Sequence, residues 1–448
     1  MAEVPDIQSA FKGPVGPLRH RCAQCSATDL TLLRCGGCRA VRYCGREHQI
    51  AHRAQHKGTC NKIKKARDKL AEEEHRVRNA EPDIMTPANA FETSVGRFWG
   101  IWSTRDYMRA RFALAGGNLL RLGTLDGVQE AYEHMWDMLR LCHSDNLGLR
   151  DIVPAIMLRL DLDQECYDFI KWWATCDPDG RYDWGDTTLP YLDLHGADVL
   201  ENEHFFDKYP DFNHVVAILL LKLKLLVDIR NLKVTRKILA LRSVPLDLWE
   251  QFGSAVIRSP LSARFLRESS QSLSRTEKTI LNQIRLLGAT INKLNHGFMF
   301  RLFDPDEALS DKPEYTSSGS WEEVAMALQH SYAAWWETEG ILDLLNDARA
   351  CAARDSENEI KDMLEEDASR PCAAGHRTFE EMLADVSVNR IWGYLDWAVE
   401  NASYLGPWSE RPSERYTLEA REAWERAKEE DAEFDDLSDE GEWSDDED

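Results

Sequence analysis

Between Cys22 and Cys60 the chain places six of its eleven cysteines, as Cys22-x2-Cys25, Cys35-x2-Cys38, Cys44 and Cys60, with His48, His52 and His56 at intervals of four among them. Thiolate and imidazole are the ligands structural zinc takes, four to an ion in a tetrahedron, and a Cys-x2-Cys turn offers two sulfurs to one ion. Six cysteines and two histidines make eight ligands, enough for two zinc ions that use every cysteine of the cluster. His48 and His56 each stand one helical turn from a cysteine, Cys44 and Cys60, so each pair can present both ligands from one side of a short helix. His52 lies a turn from both histidines and has no cysteine left to complement, and His20, two residues ahead of Cys22, is a weaker candidate still. The preferred set is Cys22, Cys25, Cys35, Cys38, Cys44, His48, His56 and Cys60, with His52 as the alternative. Eight protein ligands make both ions structural and leave no open position for a catalytic water.

The order of the ligands, Tyr43 before Cys44, Gln49 after His48 and the His56-Lys57 pair before Cys60 resemble a MYND-type zinc finger. The resemblance implies two interleaved sites: Cys22, Cys25, Cys44 and His48 around one ion, Cys35, Cys38, His56 and Cys60 around the other. The chain departs from the commonest pattern in having His48 where a cysteine is usual. Some such fingers bind short peptides rich in proline and leucine through a groove bearing a glutamine and a tryptophan. Here Gln49 stands at the first of those positions and Arg53 at the second, so the resemblance implies peptide binding and puts the usual proline-rich ligand in question. The segment from Arg97, "RFWGIWSTRDYMRARFALA", is similar to the region after the finger in uncharacterised fungal MYND-domain proteins.

The elements that must carry this cluster are helical. With 448 residues, 43% apolar side chains and 15 tryptophans, the chain can bury a large core. Residues 1–20 read as a flexible lead-in, 21–61 as the finger, and 62–95 as a charged helix followed by a linker at the two prolines of "EPDIMTP". From 96 to 408, apolar residues recur three and four apart, which predicts an α-helical domain of helical hairpins, with helices expected around 211–232, 261–296, 321–350, 356–368 and 378–404. "QEAYEHMWDML" at Gln129 and "QECYDFIKWWA" at Gln164 echo each other at an offset of 35. That spacing is near the tetratricopeptide period and suggests a repeat-like array. Residues 409–448 read as a helical lead and a disordered acidic tail. The fold class is mainly α.

The five remaining cysteines, Cys142, Cys166, Cys176, Cys351 and Cys372, are scattered, which argues against a disulfide framework and for an intracellular reducing compartment, nucleus or cytoplasm. "VVAILLLKLKLLV" from Val215 is too short for a membrane span and carries Lys222 and Lys224. Charge is divided along the chain. Residues 1–80 hold sixteen Lys/Arg against eight Asp/Glu, while Glu429–Asp448 hold thirteen acids and no base. "KIKKAR" from Lys62 resembles a weak nuclear import signal, but an acidic chain of net charge −24 would be repelled by phosphates, which argues against nucleic acid as a partner. The tail mixes its acids with Phe434, Leu437 and Trp443, and Ser438 and Ser444 offer phosphorylation sites in acidic context.

Enzymatic readings find little footing. A SET-type methyltransferase would need a strand-rich domain, and the Asn-His pair of "LNHGF" at Leu294 sits in helical sequence. "HSD" at His143 fits a turn, with Asp145 or Asn146 capping the next helix, better than an iron site. There is no P-loop, no G-x-S-x-G and no dinucleotide fingerprint. The tryptophans at 172–173 and 335–336 are expected in the core, and "YDWGDTTLPYLDL" from Tyr182 in a solvated loop. These readings add up to a zinc-binding protein-protein interaction adaptor, non-enzymatic, with a role in transcriptional regulation, whose finger and helical domain each engage protein or peptide partners. An enzyme with an unrecognised active site within 96–408 is the alternative. Partner identity and oligomeric state are not legible in the sequence.

Overall fold

The computed structural model describes residues 17–28, 31–83, 86–368 and 377–402. The acidic tail, the lead-in up to residue 16 and Cys372 lie outside them. Two short strands, β1 (Leu33–Arg34) and β2 (Arg42–Tyr43), pair antiparallel with Leu33 opposite Tyr43. A six-residue helix, α1 (Arg46–Ala51), comes next, and then the 26-residue α2 (Arg53–Arg78). Helix α2 begins inside the cysteine cluster and runs on through the charged segment. His56, Ile63 and Val77 are buried and Leu70 partly so, one residue every second turn, forming a stripe that meets α4 (Arg105–Leu114). Its outer face carries ion pairs one turn apart, such as Arg76 with Glu72 at 3.0 Å and Arg78 with Glu74 at 2.8 Å. The finger and the charged helix are thus one continuous rod.

The rest is helical. After the single turn α3 (Ala90–Thr93) and α4 come α5 (Leu125–Leu141), α6 (Val153–Arg159), α7 (Asp163–Thr175), α8 (Phe212–Leu241), α9 (Trp249–Val256), α10 (Ser270–Leu294), α11 (Phe298–Phe303), α12 (Asp306–Ser310), α13 (Trp321–Glu337), α14 (Ile341–Ala368), α15 (Phe379–Asn389) and α16 (Ile391–Asn401). Some boundaries differ from expectation. The stretch from 261 opens as a 3-10 turn, Pro260–Arg267, before Ser269 caps α10 by accepting from the Ser272 N–H. The expected helices 321–350 and 356–368 meet a different break: Gly340, at φ +81°, separates α13 from a continuous α14. Thr378 and Glu381 close a reciprocal capping box at the start of α15.

Helix α8, thirty residues long, is the axis of the body. Every residue from His214 to Ile229 is buried, because α6, α9, α10, α13, α14 and α16 surround it. This explains a sequence that is apolar all round. The two lysines of this buried stretch, Lys222 and Lys224, are neutralised where they stand. Lys224 Nζ meets Asp163 at 2.8 Å and Asp161 at 2.9 Å, and Lys222 donates to Gln283 at 2.8 Å and pairs with Glu203. A third buried pair, Arg159 with Glu337 at 2.9 and 2.8 Å, ties α6 to α13. Among the described residues no helix is long and apolar enough to cross a membrane. Gly288 shows how tightly α10 is packed: a Cβ there would lie 2.3 Å from the Trp392 ring of α16.

The tetratricopeptide-like detail is not confirmed. The two echoing segments do lie in helices, α5 and α7, but a solenoid repeat touches only its neighbours, whereas α8 is enclosed by helices from the whole length of the body. Trp335 and Trp336 are in the core, as their spacing suggests. The loop after α7 is more than a solvated connection. Trp184 stacks on Trp173 with centroids 5.4 Å apart, and the Asp168 carboxylate accepts the N–H groups of Gly196 and Ala197 at 2.7 and 2.8 Å. Asp145 caps the turn at His143, at φ +44°, accepting from the Leu149 and Arg150 N–H groups at 2.8 Å each. His143 itself stacks on Tyr191 at 3.8 Å.

Candidate metal centre and adjoining groove

Both Cys-x2-Cys turns have the same local geometry. The Ser26 N–H returns to the Cys22 carbonyl at 2.8 Å and the Arg39 N–H to the Cys35 carbonyl at 2.9 Å. Ser26 and Arg39 each take positive φ, +59° and +62°. Each turn therefore folds its two sulfurs to the same side. Gly37, inside the second turn, is required sterically, since a Cβ would sit 2.7 Å from Cys60 Sγ.

The ligand atoms gather into two groups, Cys22, Cys25, Cys44 and His48, and Cys35, Cys38, His56 and Cys60, each with all four atoms within 4.8 Å of one another. In the first, Cys22 Sγ is 3.3 Å from His48 Nδ1 and Cys25 Sγ 3.5 Å from Cys44 Sγ. In the second, Cys35 Sγ is 3.8 Å from Cys60 Sγ and Cys38 Sγ 3.4 Å from His56 Nε2. Tetrahedral zinc with ligands at about 2.3 Å (sulfur) and about 2.0 Å (nitrogen) holds neighbouring ligands roughly 3.5–3.8 Å apart. The donor chemistry and the spacing both fit, so each set suits one structural zinc. The β-hairpin and α1 bring Cys44 and His48 back to the first turn, and α2 brings His56 and Cys60 to the second. Bound there, zinc supplies cross-links between segments that share few other contacts.

His52 has a different place. Its Nδ1 is hydrogen-bonded to the Tyr43 hydroxyl at 3.0 Å, and its ring stacks on His56 with centroids 5.7 Å apart. It braces a ligand from behind. Burial pushes the Cys38 thiol up to about 12, so metal must displace its proton, and affinity falls as pH drops.

The finger is bolted to the body. Asp126, in the first turn of α5, takes a fork from Arg42 at 2.6 and 2.8 Å and a further bond from Arg34 at 2.7 Å. The Thr124 hydroxyl, which caps α5, donates to the Ala40 carbonyl at 2.6 Å. Arg67 of α2 joins Glu130 to the Cys38 carbonyl, donating at 2.7 and 2.8 Å. Burial raises the Glu130 carboxyl, but bonds from His134 and Arg67 outweigh it and hold the group at about 2. Val41, Tyr43 and Ile63 are buried in the same continuous apolar cluster as the helices. The finger therefore borrows the body's core.

Beside the second ligand set lies a groove of about 480 Å³, lined among others by Leu33, Arg46, Gln49, Ile50, Arg53 and Lys57. Gln49 and Arg53, singled out in the sequence, both line it. Leu33 and Ile50, 59% and 61% exposed, stand together in its lining. These two, with Arg46, escaped sequence reasoning because an isolated apolar residue or cation has no spacing that marks it, and Lys57 stood out only as part of the His56-Lys57 pair. The anchor residues Asp126 and Glu130 escaped it too, since no local pattern links position 42 with 126.

A third group, Asp151, Asp211 and His214, also falls within 4.8 Å. Asp211 caps α8 by accepting the His214 N–H at 3.1 Å, and His214 Nε2 donates to the Arg150 carbonyl at 3.1 Å. These bonds fasten the start of α8 to the turn before α6.

Residues 22–60 match the family model of the MYND finger, so the class of this segment is established: a two-zinc finger of the type that commonly mediates protein-protein interaction. The match spans the ligand cluster alone. No curated protein and no solved structure matches the chain.

Proposed function

We propose that the protein is a non-enzymatic adaptor that recruits a protein or peptide partner through the finger groove while its helical body offers a second docking surface, in a reducing intracellular compartment, nucleus or cytoplasm, with a role in transcriptional regulation. The observation that carries the reading is the groove itself: two exposed apolar side chains, Leu33 and Ile50, stand beside Gln49 and a row of cations on a rigidly anchored finger. Exposed apolar residues rimmed by polar ones are what a peptide-binding surface requires. Four protein ligands in each set give the zincs a structural role, and the free thiols of Cys142, Cys166, Cys176 and Cys351 fit a reducing environment.

The test is selection of displayed peptides on the zinc-loaded full chain. Enrichment of a shared motif that disappears with Ile50→Asp, while two zincs are retained, is the expected result. A motif selected equally well by Ile50→Asp would move the binding surface elsewhere, and no enrichment would remove the support for the adaptor reading.

A further inference from the structure

We infer that the groove is occupied, in the resting chain, by the chain's own acidic C-terminal segment, residues 429–448, and that this contact limits access of outside ligands. The inference rests on the groove being a peptide site and adds its regulator. The first observation is charge. Arg46, Arg53 and Lys57 line the groove exposed to solvent, and among the described residues none of the three has a carboxylate partner. The neighbouring cations behave differently: Arg34 and Arg42 are held by Asp126 and Arg67 by Glu130. Arg34, which also lines the groove, Arg42 and Arg67 are thus committed to the body, while Arg46, Arg53 and Lys57 face solvent along the groove.

The second observation is apolar complementarity. Leu33 and Ile50 offer a floor for bulky side chains. The segment "EEDAEFDDLSDEGEWSDDED" carries thirteen acids, no base, and three bulky apolar residues, Phe434, Leu437 and Trp443. Spacing of three between Phe434 and Leu437 lets both reach one face of a single turn, with acids on either side for the rim. No other twenty-residue stretch of the chain combines such charge with aromatic side chains.

The third is reach. Phe434 stands thirty-two positions beyond Ala402, the last described residue. Such a stretch spans at most about 110 Å, against a diameter of roughly 60 Å for a compact chain of this size. Tethering then raises the segment's local concentration at the groove, so a contact weak in trans is favoured in cis. Charge pairing of this kind weakens with salt, and phosphate added at Ser438 or Ser444 would strengthen it.

The experiment measures binding of a labelled synthetic peptide of residues 429–448 to zinc-loaded full chains at low and at physiological salt. The wild-type chain is compared with a chain carrying Phe434→Ser, Leu437→Ser and Trp443→Ser, whose own segment can no longer compete. The altered chain is expected to bind the peptide about tenfold or more tightly than wild type, and adding Arg53→Glu and Lys57→Glu to it should abolish the gain, with two zincs still present by native mass spectrometry. Equal binding by the two chains, or binding untouched by the groove substitutions, overturns the inference. Tail-dependent association that grows with protein concentration, seen by sedimentation, overturns the intramolecular form in favour of a second copy. If selected peptides bind the groove but the 429–448 peptide does not, the adaptor reading stands and the self-docking is wrong; if neither binds, both fall.

Discussion

The finger and the helical body solve one problem in two ways. In the body, α8 is buried along sixteen consecutive residues, His214 to Ile229, and stability comes from removing apolar surface from water. In the finger, two-residue strands and a six-residue helix enclose little apolar surface of their own, and eight ligand atoms stand in for a core. The seam between them joins a shared apolar cluster, with Val41, Tyr43 and Ile63 on the finger side, to ion pairs of Arg42 and Arg67 with Asp126 and Glu130. A metal-built unit can be rigid without being large, but it needs a foundation, and α2 and the start of α5 provide it.

The sharpest way to break this comparison is to remove the metal. Structural zinc supplies on the order of 10 kcal/mol to a small finger, so a chelator should unfold residues 22–60 while the body keeps its helices. Hydrogen exchange would read both at once: loss of protection confined to the finger and the first turns of α2 is expected, and collapse of protection in α8 would mean that the two regions are not separable in this way.

The body should break at its buried charges. Asp163→Ala leaves the fully buried Lys224 without its closest carboxylate, and orphaning a buried charge costs about 3–5 kcal/mol. Denaturant unfolding should show that loss with zinc content unchanged; a loss under 1 kcal/mol, about what a surface pair is worth, would show that Asp161 suffices.

The seam is weaker. Arg67 and Glu130 are about one quarter exposed, so a double-mutant cycle of Arg67→Ala and Glu130→Ala should give a coupling of about 1 kcal/mol. Zero coupling would leave the finger held by its apolar contacts and Asp126 alone.

The last effect concerns pH. Burial, and then the charge of Asp211, push the Asp151 carboxyl up to about 7, above its unfolded value of about 3.9. The folded state binds that proton more tightly, so stability is greatest below the unfolded value and is lost as pH rises towards 7. Asp151→Asn should raise the melting temperature by a few degrees at about pH 8 and by less at about pH 5.5. An equal gain at both would assign the effect to something other than titration.

Much of the metal centre was legible because zinc ligands must recur at spacings fixed by a turn or a helix, and Cys22 to Cys60 carry little else that constrains them. The helical class was legible for the same reason, in the periodicity of 96–408. What the sequence hid were relations between distant positions. The letters of α8 reveal an apolar helix but not that Lys222 and Lys224 meet Glu203 and Asp163. The charge count of residues 1–80 likewise does not reveal that Arg34, Arg42 and Arg67 are occupied by carboxylates of α5. The echo of Gln129 and Gln164 reflects two similar amphipathic helices, and periodicity alone does not distinguish these from a stacked array. The tail from residue 409 lies outside the described residues.

The central claim is that eight named side chains hold two zinc ions, with His52 bracing rather than binding. Native mass spectrometry of the full chain, intact and as His48→Ala, His52→Ala and His56→Ala, tests it most directly. Two zincs in the intact chain and in His52→Ala, with loss from His48→Ala and from His56→Ala, is the predicted result. Loss of zinc from His52→Ala with His48→Ala still carrying two would contradict the ligand sets, and with them the geometry on which the groove depends.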